Sequence, residues 1–190
     1  MALRTAFSLC KRLYIVELML LASFSLILTA DAFSAFSLAF RSATPNDLFT
    51  ARQTMFQEKM NPLSISQDRL LVAFDDSDEE SLLGFGQIRP LDGVFSELAS
   101  LYVKPENRQQ GIGGALVQQL LRRHDQVESP TTVCLLTLSS TSNFYEKHGF
   151  ECMDEVEIQS TMPSSFRFEY AAGSAVSSLL GNGLVSMIRR

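Results

Sequence analysis

The sequence is short of the residues that build metal centres and disulfide frameworks, and it has no surplus of positive charge. Its three cysteines, Cys10, Cys134 and Cys152, lie far apart and lack the paired spacing of metal ligands. Cys10 falls in an apolar leader. Cys134 and Cys152 fall in strand-like runs, where a thiol packs as a small apolar side chain; a Cys134–Cys152 disulfide is allowed by the count but has no support in the pattern. Sixteen Lys and Arg against 21 Asp and Glu leave a net charge of −5, and no basic stripe stands out, so the footprint of a nucleic-acid binder is missing. No internal repeat is evident. What is present is a chain of 190 residues, 46% hydrophobic and 19% charged, which fits one ordinary globular domain plus an apolar extension.

That extension is the N-terminus. Arg4, Lys11 and Arg12 precede an apolar run, Leu13–Leu28, interrupted by Glu17 and small polar residues, and Ala30-Asp31-Ala32 follows. A basic start, an apolar stretch and an A-x-A cleavage site read as a signal-type presequence. Cleavage after Ala32 places Phe33 first. The Ala-x-Ala-Phe junction, followed by Ser34, Ser37, Arg41, Ser42 and Thr44, resembles the bipartite plastid presequences of algae with complex plastids. The same residues fit a secretory or endomembrane signal, or an uncleaved anchor nearly long enough to span a bilayer. Residues 1–39 are therefore expected to be a targeting presequence outside the fold, addressed to a plastid or, alternatively, to the secretory system. Membrane contact is expected only through this segment if it stays uncleaved. The folded domain is expected over 40–190.

Within that domain the hydrophobic periods alternate. Thr44-Pro45-Asn46-Asp47 is a helix start, with Thr as N-cap, Pro at the first position and an acid in the first turn. Leu48, Ala51, Met55 and Phe56 continue it, and Asn61-Pro62 stops it. Strands are expected over 69–74, 81–91 and 94–103, the first two joined by the acidic turn 75–80. The last two are joined by a two-residue Asp92-Gly93 hairpin. Gly84 and Gly86 weaken the middle strand or admit a bulge. A helix opens at Ile112, and residues 131–138 form an apolar strand buried on both faces. Strand, helix and strand from 94 to 138 make one right-handed crossover, so those two strands should be parallel. A short helix over 142–148, a strand over 150–158, a helix over 164–180 and a closing strand over 184–188 complete an α+β fold: an antiparallel meander leading into one βαβ crossover.

The turn between the strand at 94–103 and the helix at 112 carries the chemistry. Arg108-Gln109-Gln110-Gly111-Ile112-Gly113-Gly114 presents backbone N–H groups at the positive end of a helix dipole, a cradle for phosphate or pyrophosphate. The dinucleotide fingerprint needs a third glycine three residues after the second, and Leu116 stands there. The P-loop needs Gly-Lys-Ser/Thr, which is absent. A glycine turn without a ligand is the bland alternative.

Two segments together narrow this. The strand 97–103 followed by Lys104-Pro105-Glu106-Asn107-Arg108-Gln109-Gln110-Gly111-Ile112-Gly113 matches the Arg/Gln-x-x-Gly-x-Gly/Ala motif of the GNAT N-acetyltransferase superfamily. Asn143-Phe144-Tyr145-Glu146-Lys147-His148-Gly149-Phe150 resembles its Phe-Tyr-Glu-Lys-x-Gly-Phe segment. The resemblance covers roughly residues 40–158. The tail, with Met162-Pro163, Phe166-Arg167-Phe168-Glu169 and Gly173, is similar to plant and algal plastid members.

The resemblance implies a mixed sheet whose parallel strands, 97–103 and 131–138, splay apart to admit acetyl-CoA as acetyl donor, with no metal. It implies that the pantetheine arm pairs with Leu101, Tyr102 and Val103 like an added strand. Arg108, Gln109, Gln110, Gly111, Ile112, Gly113 and Gly114 would hold the pyrophosphate. The reaction it implies is direct transfer of the acetyl group to an amine: a protein lysine, a protein N-terminus or a small amine. The N–H of Val103 would polarise the carbonyl, Tyr145 would protonate the leaving thiolate, and Glu97 would act as base. Tyr145 as a satisfied core aromatic, and Glu97 as a solvent-facing strand acid, are the structural alternatives. Many members place an asparagine at the end of the fifth strand; here Leu138–Asn143 is short, and Asn143 or Ser139 would have to substitute. His124, beside Arg122 and Arg123, reads as a cation at a helix C-terminus. A non-catalytic acyl-CoA-binding module on the same fold is the alternative function, and an intact Tyr145 speaks against it.

Overall fold

The computed structural model describes residues 37–190 apart from Lys59, Ser129 and Leu180. The signal run, the A-x-A site, Phe33 and Cys10 lie outside the described residues. The described chain forms one seven-stranded sheet in the order β1-β2-β3-β4-β5-β7-β6. Its strands are β1 (Leu38–Ser42), β2 (Leu70–Asp75), β3 (Asp78–Pro90), β4 (Phe95–Val103), β5 (Thr132–Leu138), β6 (Phe150–Cys152) and β7 (Leu184–Arg189). Every neighbouring pair is antiparallel except β4–β5, which is parallel. The helices are α1 (Pro45–Gln57), α2 (Ile112–Asp125), α3 (Ser142–Glu146), α4 (Glu155–Thr161) and α5 (Ser164–Leu179), with two short 3-10 turns at Pro105–Asn107 and Ser139–Thr141.

Side-chain alternation sorts the core onto the two sheet faces. Phe85, Gln87 and Arg89 of β3 share one face with Phe95 and Glu97 of β4. On that face Ala51 and Met55 of α1 pack with Val72 and Phe85, while Ile158 of α4 and Phe166 of α5 pack with Phe95, Cys134 and Ile188. The opposite face carries Leu98, Val133, Leu135 and Met187 against Val117 and Leu121 of α2 and against Phe150. Residues 133–135 are thus buried on both faces, as their unbroken apolar run requires.

α1 starts where its sequence says it should. The Thr44 hydroxyl accepts from Asp47 N–H, and the Asp47 carboxylate accepts from Thr44 N–H, a complete capping box with Pro45 behind it. Asp47 also pairs with Arg41 of β1. Burial alone would raise the Asp47 pKa, but hydrogen bonds from Arg41 and Thr44 outweigh it and hold the carboxyl below its ordinary value.

Three expectations are corrected. The expected strand over 150–158 stops at Cys152: the Asp154 carboxylate accepts from Glu157 N–H at 2.8 Å and starts α4 instead. The Asp92-Gly93 turn is not a two-residue hairpin. Residues 91–94 form the connection, and the Asp92 carboxylate caps it by accepting from Val94 N–H and Phe95 N–H. β1 adds an edge strand at 38–42, paired with β2, that the apolar pattern did not separate from the leader. Cys134 is buried and Cys152 exposed, and both are free thiols.

Candidate active site

β4 and β5 begin together and then part. Phe95, Ser96 and Glu97 pair with Thr132, Val133 and Cys134, and the ladder ends there. On its other side β4 stays paired to β3, but with one extra residue: Tyr102 faces Phe85 while Ala99 faces Gln87. The bulge at Ser100–Leu101 turns β4 away from β5, and Ser100 sits in the left-handed region at φ 58°. Lys104 N–H donates to Leu83 O at 2.9 Å. By antiparallel alternation, the N–H and C=O of Val103 therefore point away from β3 into the gap, and those of Leu101 do the same. Val103 O is met there by Arg108 Nε at 3.0 Å. Gly84 makes this approach possible, since a Cβ on it would lie 2.6 Å from Tyr102 O.

At the wide end of the gap the glycine turn opens α2. Gln109 and Gly111 both adopt left-handed backbone, at φ 64° and 83°. Gly111 is the N-cap and offers no side-chain cap, and the first helical bond runs from Ala115 N–H to Gly111 O. The amides of Ile112, Gly113 and Gly114 are left for a ligand. Ser100 and Gln109 are the described non-glycine residues with positive φ, and they stand at the two ends of the site.

Tyr145 closes the inner end. α3 packs it edge-on against Phe144 and Phe150, with ring centroids 4.9 and 6.0 Å apart. Burial pushes its pKa up to about 12, against the hydrogen bond with the Thr137 hydroxyl, which lowers it. The phenol therefore stays protonated across the whole physiological range.

Glu97 is not the solvent-facing acid of the structural alternative. It is 5% exposed, and it pairs with Arg89, whose Nε and Nη2 lie 2.8 and 2.6 Å from Oε2. Burial raises its pKa, and the Arg89 charge and hydrogen bond only partly offset this. Next to it, fully buried Gln87 donates to Ser64 O at 2.8 Å and reaches the Ser100 hydroxyl at 3.4 Å, tying the loop after α1 to the β4 bulge.

One cavity of about 920 Å³ gathers these parts. Of the residues expected from sequence, Glu97, Leu101, Tyr102, Val103, Arg108, Gln109, Gly111, Ile112, Gly113, Gly114 and Tyr145 line it. Gln110 and Asn143 do not: Gln110 turns to Glu106 O, and Asn143 is exposed on α3. Leu138 and Thr141 line the wall where an asparagine was sought. Sequence reasoning missed Ser100, Thr137, Phe144 and, from the loop after α1, Glu58 and Met60. Phe144 alone had a local signal, since it lies inside the second motif. His124 is not part of the site; its Nε2 lies 2.8 Å from Thr131 O.

The family model of the acetyltransferase (GNAT) domain matches residues 66–152, the segment from the entry of β2 to the end of β6. No curated protein matches this sequence. Among solved structures, N-acetylglutamate synthase from Neisseria gonorrhoeae, complexed with coenzyme A and N-acetyl-glutamate, aligns at a TM-score of 0.58 and 17% identity over 81% of this chain. The chain spans only 35% of that synthase. A Mycobacterium tuberculosis protein in complex with CoA aligns at 0.58 and 20% identity, over 80% of this chain and 99% of that one. A phosphinothricin N-acetyltransferase structure, so described provisionally, aligns at 0.54 and 18%, over 81% and 98%. The sheet order, the bulged fourth strand and the glycine turn are thus those of the GNAT fold, and residues 66–152 carry its acetyltransferase domain pattern.

Proposed function

We propose that this chain is an acetyl-CoA-dependent N-acetyltransferase that moves an acetyl group directly to an amine. The observation that carries the reading is the parting of β4 from β5 after Glu97 and Cys134, with the amide cradle at one end of the gap and Tyr145 at the other. The cradle fits a pyrophosphate because the Ile112, Gly113 and Gly114 amides lack helical acceptors and no side chain caps them. The gap fits an extended arm because the Leu101 and Val103 backbone N–H groups point toward it, away from β3.

Bound acetyl-CoA would supply an acetyl group activated as a thioester. The chain's residues do the rest. The Leu101 and Val103 amides, fixed by the bulge, polarise a carbonyl placed in the gap without reorganising. Tyr145, kept protonated by burial, gives its proton to the departing thiolate. Glu97, inside the cavity and desolvated, takes the proton from the incoming ammonium so that the amine attacks neutral. The acceptor approaches from the face bearing Glu97, Glu58 and Met60, opposite the face covered by α2.

Purified full-length protein should release free CoA from acetyl-CoA when given a panel of lysine peptides, N-terminal peptides and small amines. Cofactor binding with no transfer to any of them would leave a binding module in place of an enzyme. For localisation we propose the plastid, supported by the Ala30–Phe33 junction. A fluorescent fusion of residues 1–45 should reach the plastid and lose that address when Phe33 is changed to Ala; secretion of both would overturn it.

A further inference from the structure

Glu97 shares its cation. Arg89, at the end of β3, meets Glu97 through Nε and Nη2, and its Nη2 also lies 3.1 and 2.8 Å from the two oxygens of Glu169 on α5. The three side chains run from buried to exposed: Glu97 at 6%, Arg89 at 20% and Glu169 at 45%. α5 lies beyond residues 66–152, so the domain pattern does not include this third member.

We propose that Glu169 is a positioning residue for Glu97: by taking part of the Arg89 guanidinium, it keeps Arg89 from neutralising Glu97 and leaves Glu97 able to accept the acceptor's proton. The inference rests on the acetyltransferase reading above and adds to it a control on the base. Both Arg89 contacts fall on Oε2, so Oε1 has no protein partner among the described residues while Glu97 lines the cavity. A carboxylate held by a whole guanidinium ionises easily and accepts protons poorly. A base works best when its pKa lies near the working pH. Two carboxylates on one guanidinium leave a net negative charge, and the second carboxylate favours protonation of the first. The groups facing Glu97 are few. Arg89 comes from β3, the buried Cys134 thiol from β5, and Glu169 from α5, with Asp92 at the turn acting on Cys134. The carboxyl of Glu97 is raised above its ordinary value by burial first, against Arg89, with Glu169 adding to the rise. In the step itself an N–H bond of the ammonium breaks, an O–H bond forms on Glu97 Oε1, and the proton later leaves to solvent.

The test reads Glu97 directly. Full-length protein labelled with carboxyl-13C glutamate is titrated by NMR without substrate, Glu97 being assigned by E97Q, and the pH profile of kcat/KM is measured alongside. In E169Q the Glu97 midpoint should fall, and the acid limb of kcat/KM should move down with it. E169D, which keeps the charge, should restore most of both. A Glu97 midpoint unchanged in E169Q overturns the proposal, as does an acid limb that E97Q removes but E169Q leaves in place. If wild type transfers no acetyl group, the proposed function fails, and the NMR arm still decides whether Glu169 governs Glu97.

Discussion

At the scale of single residues, Tyr145 separates an enzyme from a binder. Its ring is packed by Phe144 and Phe150, and the hydroxyl adds little to that packing beyond its bond to Thr137. Y145F should therefore leave the protein folded and the KM for acetyl-CoA near its wild-type value while kcat falls about 100-fold. Steady-state kinetics would show this, and an unchanged kcat would remove Tyr145 from the chemistry. The same group predicts a pH effect on stability. The unfolded phenol ionises near 10 and the folded one near 12, because burial favours the neutral form. Its contribution is fully present below pH 10 and is lost as pH rises from 10 through 12. Part of the fall in melting temperature between pH 9 and pH 11 should disappear in Y145F; an identical fall in both proteins would mean the phenol is not desolvated. Cys134, also pushed up to about 12 by burial, loses stability over a window that opens lower, from 9, and remains in the variant as an internal comparison.

At the scale of elements, the bulged β4 is the device that makes the site, and it depends on β3 coming close. A side chain at position 84 would strike the backbone oxygen of Tyr102, which cannot rotate away. G84V should destabilise the fold by about 1–3 kcal/mol and raise the KM for acetyl-CoA, because Leu101 and Val103 ride on the displaced strand. Denaturant midpoints and KM values measured together would test this; lost stability with an unmoved KM would uncouple the bulge from the cofactor. Elements were legible in the sequence where local chemistry was decisive. Thr44-Pro45 with Asp47 located α1, and the glycine turn located the start of α2. They were illegible where two periods competed. Phe150, Cys152, Val156 and Ile158 fall on alternate positions and imitate a strand, yet Asp154 offers an N-cap, and the helix wins because Ile158 then reaches the core with Met162 and Phe166. β1 is five residues long and continues the leader's apolar composition, so nothing in it announced an edge strand.

At the scale of the whole described domain, the sheet divides the labour. One face, under α2 and α3, carries the amide cradle and Tyr145; the other, under α1 and α5, carries Glu97, Arg89 and Gln87 and is the side from which we propose the acceptor enters. The first half of the site was readable because each motif is contiguous. The second was not, because Arg89 and Glu169 are 80 positions apart and only the packing of α5 brings them together. The cradle makes a prediction about the molecule's overall stability. A ligand that binds only the folded state stabilises it by RT ln(1 + [L]/Kd), about 2.7 kcal/mol at 100 times Kd. For a domain of this size that is roughly a 5–11 °C rise in Tm. CoA lacking the acetyl group should raise Tm about as much as acetyl-CoA, since the pyrophosphate and pantetheine proposed to lie on the amides of 112–114 and along the β4 backbone are common to both. NAD should not raise it, because the turn lacks the spacing that a dinucleotide needs. G113V should abolish the rise for both CoA forms while changing the unliganded Tm little. A Cβ at that position meets Phe144 and Val103 at an ordinary contact distance of 3.6 Å, and all three residues line the cavity, so the larger valine should take up space that the cofactor needs. A rise with NAD and none with CoA would show that the turn holds a different phosphate ligand, and the acetyl-transfer reading would fall with it.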